Sequence, residues 1–247
     1  MTPKVSFLIC GAQKAGTSSL SRYLRQHPQL FLPETKELHF FDNEYLNWTN
    51  PDYDILNYHF QTSIPGQLCG EATPITMYWD PAPTRVWSYN PAMKMIVVIR
   101  NPVSRAYSHW AMENQRSNEL LSFTDALSQE SSRATKKLPF QDRIHSYIDR
   151  GFYSGQIRRL WRLFGKRNVI VIRQDWLLKD PKSCLGDICN FLEIDTFPIL
   201  TPHQERVGLY NTRIDEYTSN CLQRYFLGEI KQLEIMLKWD LSDWISV

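Results

Sequence analysis

Short continuous apolar runs recur along the chain, separated by stretches in which apolar residues return every three or four positions. The clearest runs are Val5-Ser6-Phe7-Leu8-Ile9-Cys10, Met95-Ile96-Val97-Val98-Ile99 and Val169-Ile170-Val171-Ile172. Their length and β-branched content predict buried parallel strands. Leu30-Phe31-Leu32 predicts a shorter strand, and Leu68-Cys69-Gly70-Glu71-Ala72-Thr73-Pro74 a strand end followed by a turn. Helical spacing appears at Leu20, Tyr23 and Leu24, where His27-Pro28 closes the pattern. It returns from about Val103, at Tyr153, Ile157, Leu160, Trp161 and Phe164, at Leu185, Ile188, Phe191 and Leu192, and from Leu222 to Leu237. Residues 43–66 have weak periodicity and predict loop and short helix. Residues 130–143 are polar and basic and predict an exposed connection, and 197–213 predict a long loop. Strands alternating with helices imply an α/β fold, with a central, largely parallel sheet flanked by helices in three layers. The length, 247 residues, suits one domain over 1–247 with a substantial core.

The first strand runs into Gly11-Ala12-Gln13-Lys14-Ala15-Gly16-Thr17-Ser18-Ser19-Leu20, a glycine-rich turn that opens a helix. Strand, turn and helix together aim backbone N–H groups and the positive end of a helix dipole at an anion. The two glycines have the spacing of the P-loop G-x-x-x-x-G-K-[ST]. Thr17 stands where that loop has its lysine, and the lysine lies inside the loop as Lys14. The expectation is therefore a P-loop-like cradle for a shorter phosphate chain than that of magnesium-bound ATP or GTP. In an open parallel sheet ligands gather beyond the carboxyl ends of the strands. The Lys14 loop, the Glu37 segment and the Arg100 segment all follow presumed strands.

Composition narrows the picture further. Hydrophobic content of 43% and charged content of 22% are ordinary globular values, and a net charge of +2 gives no reason to expect nucleic acid. Five cysteines without a C-x-x-C pair do not form a disulfide framework, which fits a reducing compartment. No apolar stretch has the length of a signal peptide or a membrane span, so the expectation is a soluble, cytoplasmic protein. No His/Cys cluster has metal-ligand spacing.

The Lys14 loop, Lys36-Glu37-Leu38-His39-Phe40-Phe41-Asp42 and the run IVVIRNPVSRAYSHW at 96–110 resemble the sulfotransferases that use 3′-phosphoadenosine 5′-phosphosulfate (PAPS). The likeness is greatest to the branch with the heparan sulfate and other glycosaminoglycan enzymes and their bacterial relatives. GEATP at 70–74, GFYSGQIRRLW at 151–161 and LKWDLSDW at 237–244 extend it over nearly the whole chain.

The resemblance implies sulfuryl transfer from PAPS, with adenosine 3′,5′-bisphosphate as product, and no required metal. Gly11, Ala15, Gly16, Thr17, Ser18 and Ser19 would surround the 5′-phosphate, and Lys14 would reach the oxygen bridging phosphate and sulfate. Arg100 and Ser108 match the 3′-phosphate ligands, with Arg105 a weaker match. Arg206 and Arg213 stand in for a loop that closes over the 3′-phosphate and adenine. Glu37 occupies the place of the catalytic base, supported by His39 and Asp42. Lys36, Asp42, Glu71 and Tyr153 fall on the acceptor side. A carboxylate beside Leu38, Phe40 and Phe41 is expected to have a raised pKa. His109, next to Ser108, is expected to be packing. Ala72 departs from the glycosaminoglycan enzymes, which often have lysine there. The implied acceptor is a saccharide or a small alcohol. A P-loop nucleoside kinase and a non-catalytic carbohydrate-binding protein are the alternatives.

Overall fold

The computed structural model describes residues 4–201 and 214–245. Residue contacts divide the chain into two compact units. One holds the residues up to Ile99 together with Arg159–Glu205, and the other holds Arg100–Arg158 with Arg206–Val247. In chain order the elements are β1 (Val5–Gly11), α1 (Thr17–Leu24), β2 (Leu30–Phe31), α2 (Asp54–Asn57), β3 (Leu68–Ala72), α3 (Ala82–Tyr89) and β4 (Lys94–Ile99). There follow α4 (Pro102–Gln115), α5 (Phe123–Lys137), α6 (Tyr153–Phe164), β5 (Val169–Arg173), α7 (Gln174–Lys179), α8 (Pro181–Leu192) and α9 (Glu216–Leu237).

The first unit contains the whole sheet. It is parallel throughout, in the order β2-β3-β1-β4-β5. The apolar runs became strands because both faces are covered: every residue of β1 except Ser6 is buried, as is every residue of β4 except Lys94. Burying each such Val, Ile or Phe is worth roughly 1.5–3 kcal/mol. β1 lies between β3 and β4, with Ile9 in register with Ala72 on one side and Ile96 on the other. The connections therefore diverge from β1, and the crevice at its carboxyl end is the switch point at which α/β sheets take ligands.

In the second unit, α4 begins where the sequence turns polar after β4. Asn101 caps it, accepting from the N–H groups of Val103 (3.0 Å) and Ser104 (3.3 Å), and Pro102 occupies the first turn. Two buried glutamates accept backbone N–H groups. Glu130 accepts from the N–H groups of Ile148 (2.7 Å) and Asp149 (2.8 Å), and Glu229 accepts from the N–H (2.6 Å) and hydroxyl (2.8 Å) of Ser154.

Two sequence expectations change. Residues 130–137 are the second half of α5 rather than a connection. Ser122 caps this helix, and the buried stripe of Phe123, Ala126 and Glu130 is only one apolar residue per turn and ends in a carboxylate. Arg133, expected on a solvated basic face, pairs with the buried Glu119. All five cysteines are free thiols, four of them buried. Among the described residues no helix is long and apolar enough to cross a membrane, and no cluster of His, Cys, Asp and Glu has the form of a metal site.

Candidate active site

In the first unit the glycine-rich turn lies at the carboxyl end of β1. The Ala12 N–H donates to the Val98 carbonyl (2.7 Å) and the Ala15 N–H to the Ala12 carbonyl (3.1 Å), which ties the turn to β4 and closes it on itself. Gly16 has φ 94°, a left-handed conformation open to glycine at no steric cost, and leads into α1. A Cβ on Gly11 would lie 1.8 Å from the Met77 sulfur, so any larger residue there would have to displace the Met77 side chain. No side chain caps α1 and its first turn has no acidic residue, which leaves its positive end suited to an anion. Thr17 is buried, Ser18 exposed, and Ser19 and Lys14 half-buried.

The segment with Glu37 meets the same sheet one strand away. The Glu37 N–H donates to the Ala72 carbonyl at the end of β3 (3.0 Å). Since Ala72 is in register with Ile9, the Lys14 loop and Glu37 leave neighbouring strand ends. Glu37 forms an ion pair with Lys36, and its carboxylate lies 3.6 Å from Nε2 of His39. The other imidazole nitrogen, Nδ1, lies 2.9 Å from Oδ2 of Asp42, which is 1% exposed. A carboxylate thus orients a histidine, which faces a second carboxylate.

The charges of this cluster decide its titration. Burial alone would raise the pKa of Glu37, but the hydrogen bond from His39 and the Lys36 ammonium outweigh it and hold the carboxyl at about 2. This reverses the raised value expected from the apolar neighbours. Phe40 and Phe41 point away into an aromatic cluster with Trp48, Tyr53 and Tyr89. The hydrogen bonds to Asp42 and Glu37 raise His39 to about 9, so it is a cation at neutral pH. Glu71, buried on β3, receives the Thr73 hydroxyl at 2.7 Å. Burial raises its pKa to about 7, against that hydrogen bond and with help from the Asp42 charge.

Backbone conformation marks the same residues. Among the described residues, the non-glycine positions with positive φ are Lys14, Glu37, His39, Ser117, Glu193 and Lys238. The last three follow or cap the ends of α4, α8 and α9, where left-handed backbone is common. The first three are the candidate base, its histidine and the loop lysine. Such conformations cost on the order of 1–3 kcal/mol each and persist where surroundings impose them, often at functional sites.

The second unit contains Arg100 and Ser108. Arg100 is half-buried just beyond β4, and Ser108 is buried on α4. Tyr153 is also fully buried, and its hydroxyl donates to the Arg100 carbonyl (3.0 Å). It fixes Arg100 from behind and does not line an open acceptor surface, which corrects its expected place. Glu71 and Asp42, likewise expected at the acceptor, are buried, Asp42 against the His39 imidazole and Glu71 against the Thr73 hydroxyl. Arg105 is buried, donating to the Tyr147 carbonyl, and His109 packs fully buried against the Tyr147 ring. Arg206 and Arg213 lie outside the described residues.

Two further residues escaped sequence reasoning. Met77 covers Gly11, and its N–H donates to the Cys10 carbonyl (2.9 Å). Gln174 has its side chain 3.4 Å from the place a Gly16 Cβ would take. Gln174 directly follows β5, and that position after an apolar run is the signal that marks it.

Comparison with known proteins decides the family. The sulfotransferase domain model matches residues 4–225. The chain belongs to the sulfotransferase family. Among solved structures, this sulfotransferase-family chain is similar to a sulfotransferase from Alicyclobacillus acidocaldarius, with a TM-score of 0.85 and 28% identity over 98% of this chain and 99% of the other. The sulfotransferase domain of the Synechococcus PCC 7002 olefin synthase shares the fold, with a TM-score of 0.61 and 16% identity over 97% and 96% of the two chains. Human heparan sulfate glucosamine 3-O-sulfotransferase 6 is 31% identical over 194 residues, or 75% of this chain and 51% of its own length. The human 3B1 enzyme is 28% identical over 195 residues, 75% and 45% of the two lengths. The chain spans about half the length of these curated relatives.

Proposed function

We propose that the chain moves the sulfuryl group of PAPS to a hydroxyl or amine of a saccharide acceptor by in-line transfer, and that both units act as one transferase domain. The observation that carries this reading is the pairing of the Lys14 turn on β1 with the Glu37 segment on the end of β3, the neighbouring strand. A phosphate cradle and a candidate proton acceptor leave adjacent strands of one sheet.

The cradle fits a phosphate group. It has left-handed Gly16, a helix start without acidic side chains, and an ammonium within the turn. PAPS supplies the activated S–O bond, and the chain's residues bind and polarise. The backbone of residues 11–19 holds the 5′-phosphate. The Lys14 ammonium stabilises the charge that grows on the bridging oxygen as that bond breaks. The Arg100 fork and the Ser108 hydroxyl hold the 3′-phosphate. Glu37 takes the acceptor proton. With a pKa of about 2 it is fully ionised at neutral pH but is a weak base, so it acts late, when the attacking oxygen has already become acidic. His39, cationic and braced by Asp42, keeps the carboxylate aimed.

The saccharide acceptor is supported by similarity to the heparan sulfate glucosamine enzymes. Thermal unfolding with adenosine 3′,5′-bisphosphate or with magnesium-ATP tests the donor class. The bisphosphate stabilises the chain at micromolar concentration and magnesium-ATP does not. Stabilisation by magnesium-ATP alone would replace this reading with a nucleotide kinase.

A further inference from the structure

Residues 36–48, which carry Glu37, His39 and Asp42, form neither helix nor strand. Two of these residues have left-handed backbone. A segment of this kind keeps its shape only where its neighbours over-determine it. Its entry is fixed by the Glu37 N–H on the Ala72 carbonyl. Farther along, α3 holds it through the Arg85 guanidinium, with the Tyr89 ring packed against Phe41.

Arg85 Nη1 donates to the Phe41 carbonyl (3.0 Å) and to Oε1 of Glu44 (2.8 Å), while Nη2 donates to Oε2 of Glu44 (2.6 Å). The guanidinium carbon lies 4.2 Å from the ring centroid of Trp48. The Trp79 indole N–H donates to Oε1 of Glu44 (2.5 Å), bracing the carboxylate from a second side. One planar fork therefore grips a carbonyl, a carboxylate and an aromatic face, a combination open to arginine and closed to lysine. The carbonyl it grips belongs to the residue just before Asp42.

We propose that Arg85 is a positioning residue for acceptor activation: by clamping the Phe41 carbonyl and Glu44 it places Asp42, and through Asp42 it sets His39 against Glu37. This rests on the reading of residues 36–42 as the acceptor-activating segment. His39 reports the arrangement directly. The charged groups around it are Asp42 and Glu37, with Lys36 paired to Glu37 and Glu71 on β3. If Asp42 moves, the imidazolium loses its nearest partner.

The test follows the His39 imidazole by NMR titration in the full chain with Arg85→Gln, beside steady-state kinetics with PAPS and a heparan-type oligosaccharide. The expected result is a His39 pKa lowered by about one unit or more toward its ordinary value. It comes with a fall in kcat of about tenfold or more at a donor KM changed less than about twofold. Arg85→Lys recovers only part of either. An unchanged His39 titration in folded Arg85→Gln overturns the proposal, whatever happens to kcat. A shifted titration with unchanged kcat overturns the catalytic part of it. A shifted titration when neither chain has turnover upholds the clamp and counts against the functional reading instead. If Arg85→Gln does not fold, Glu44→Gln, which keeps the bond to the Phe41 carbonyl, is measured in the same way.

Discussion

Glu37 is held ionised by Lys36 and His39, so in the proposed reaction its value lies in position rather than basicity. Glu37→Gln keeps the size and the backbone bond to Ala72 but accepts no proton. Turnover should fall by about 10²–10⁴-fold, while binding of adenosine 3′,5′-bisphosphate measured by calorimetry is unchanged. Lys14→Ala should lower kcat by about 10²–10³-fold, as expected for losing a charge aimed at a developing oxyanion. Glu71 gives a prediction about stability. Burial raises its folded pKa to about 7 from 4.5, so the folded chain binds this proton more tightly than the unfolded one. Its contribution is therefore neutral below pH 4.5, grows unfavourable between 4.5 and 7, and levels off above. Glu71→Gln should relieve a cost on the order of 3 kcal/mol at pH 8 and none at pH 4. Urea unfolding at the two pH values measures the difference. An equal effect at both would show that folding leaves the Glu71 pKa unshifted.

At the scale of elements, the strands were legible because a run such as Met95–Ile99 is apolar on both faces and only a covered parallel sheet satisfies it. The glycine-rich turn was legible because its spacing follows from the approach of backbone to phosphate. α5 was not legible in full, because Glu130 sits on its inner face and accepts two backbone N–H groups, a role that periodicity cannot foresee. Its start is set by Ser122, whose hydroxyl accepts from the Asp125 N–H at 3.2 Å. Ser122→Ala should cost about 1 kcal/mol in thermal or urea unfolding, with turnover unchanged. At the candidate site, residue identities were legible in KELHFFD but titration was not. The sequence places phenylalanines beside Glu37, and only the left-handed turns at Glu37 and His39 show that charges face the carboxylate while the rings face away.

At the scale of the molecule, the family match runs from residue 4 to 225 and so takes in parts of both units. The proposed reading assigns the 5′-phosphate of the donor to the Lys14 turn and the 3′-phosphate to Arg100 and Ser108. Arg100→Ala should therefore weaken adenosine 3′,5′-bisphosphate by about 10²-fold or more, through loss of a charge-assisted bidentate contact, and weaken adenosine 5′-phosphate far less. Equal losses for both nucleotides would remove Arg100 from the 3′-phosphate. The most direct measurement of the central claim is transfer of ³⁵S from labelled PAPS to heparan-type oligosaccharides by the intact chain, with Glu37→Gln alongside. The account predicts label in the sugar with the native chain and a loss of about 10²-fold or more with the variant. Native and variant chains labelling the sugar at the same rate would contradict it.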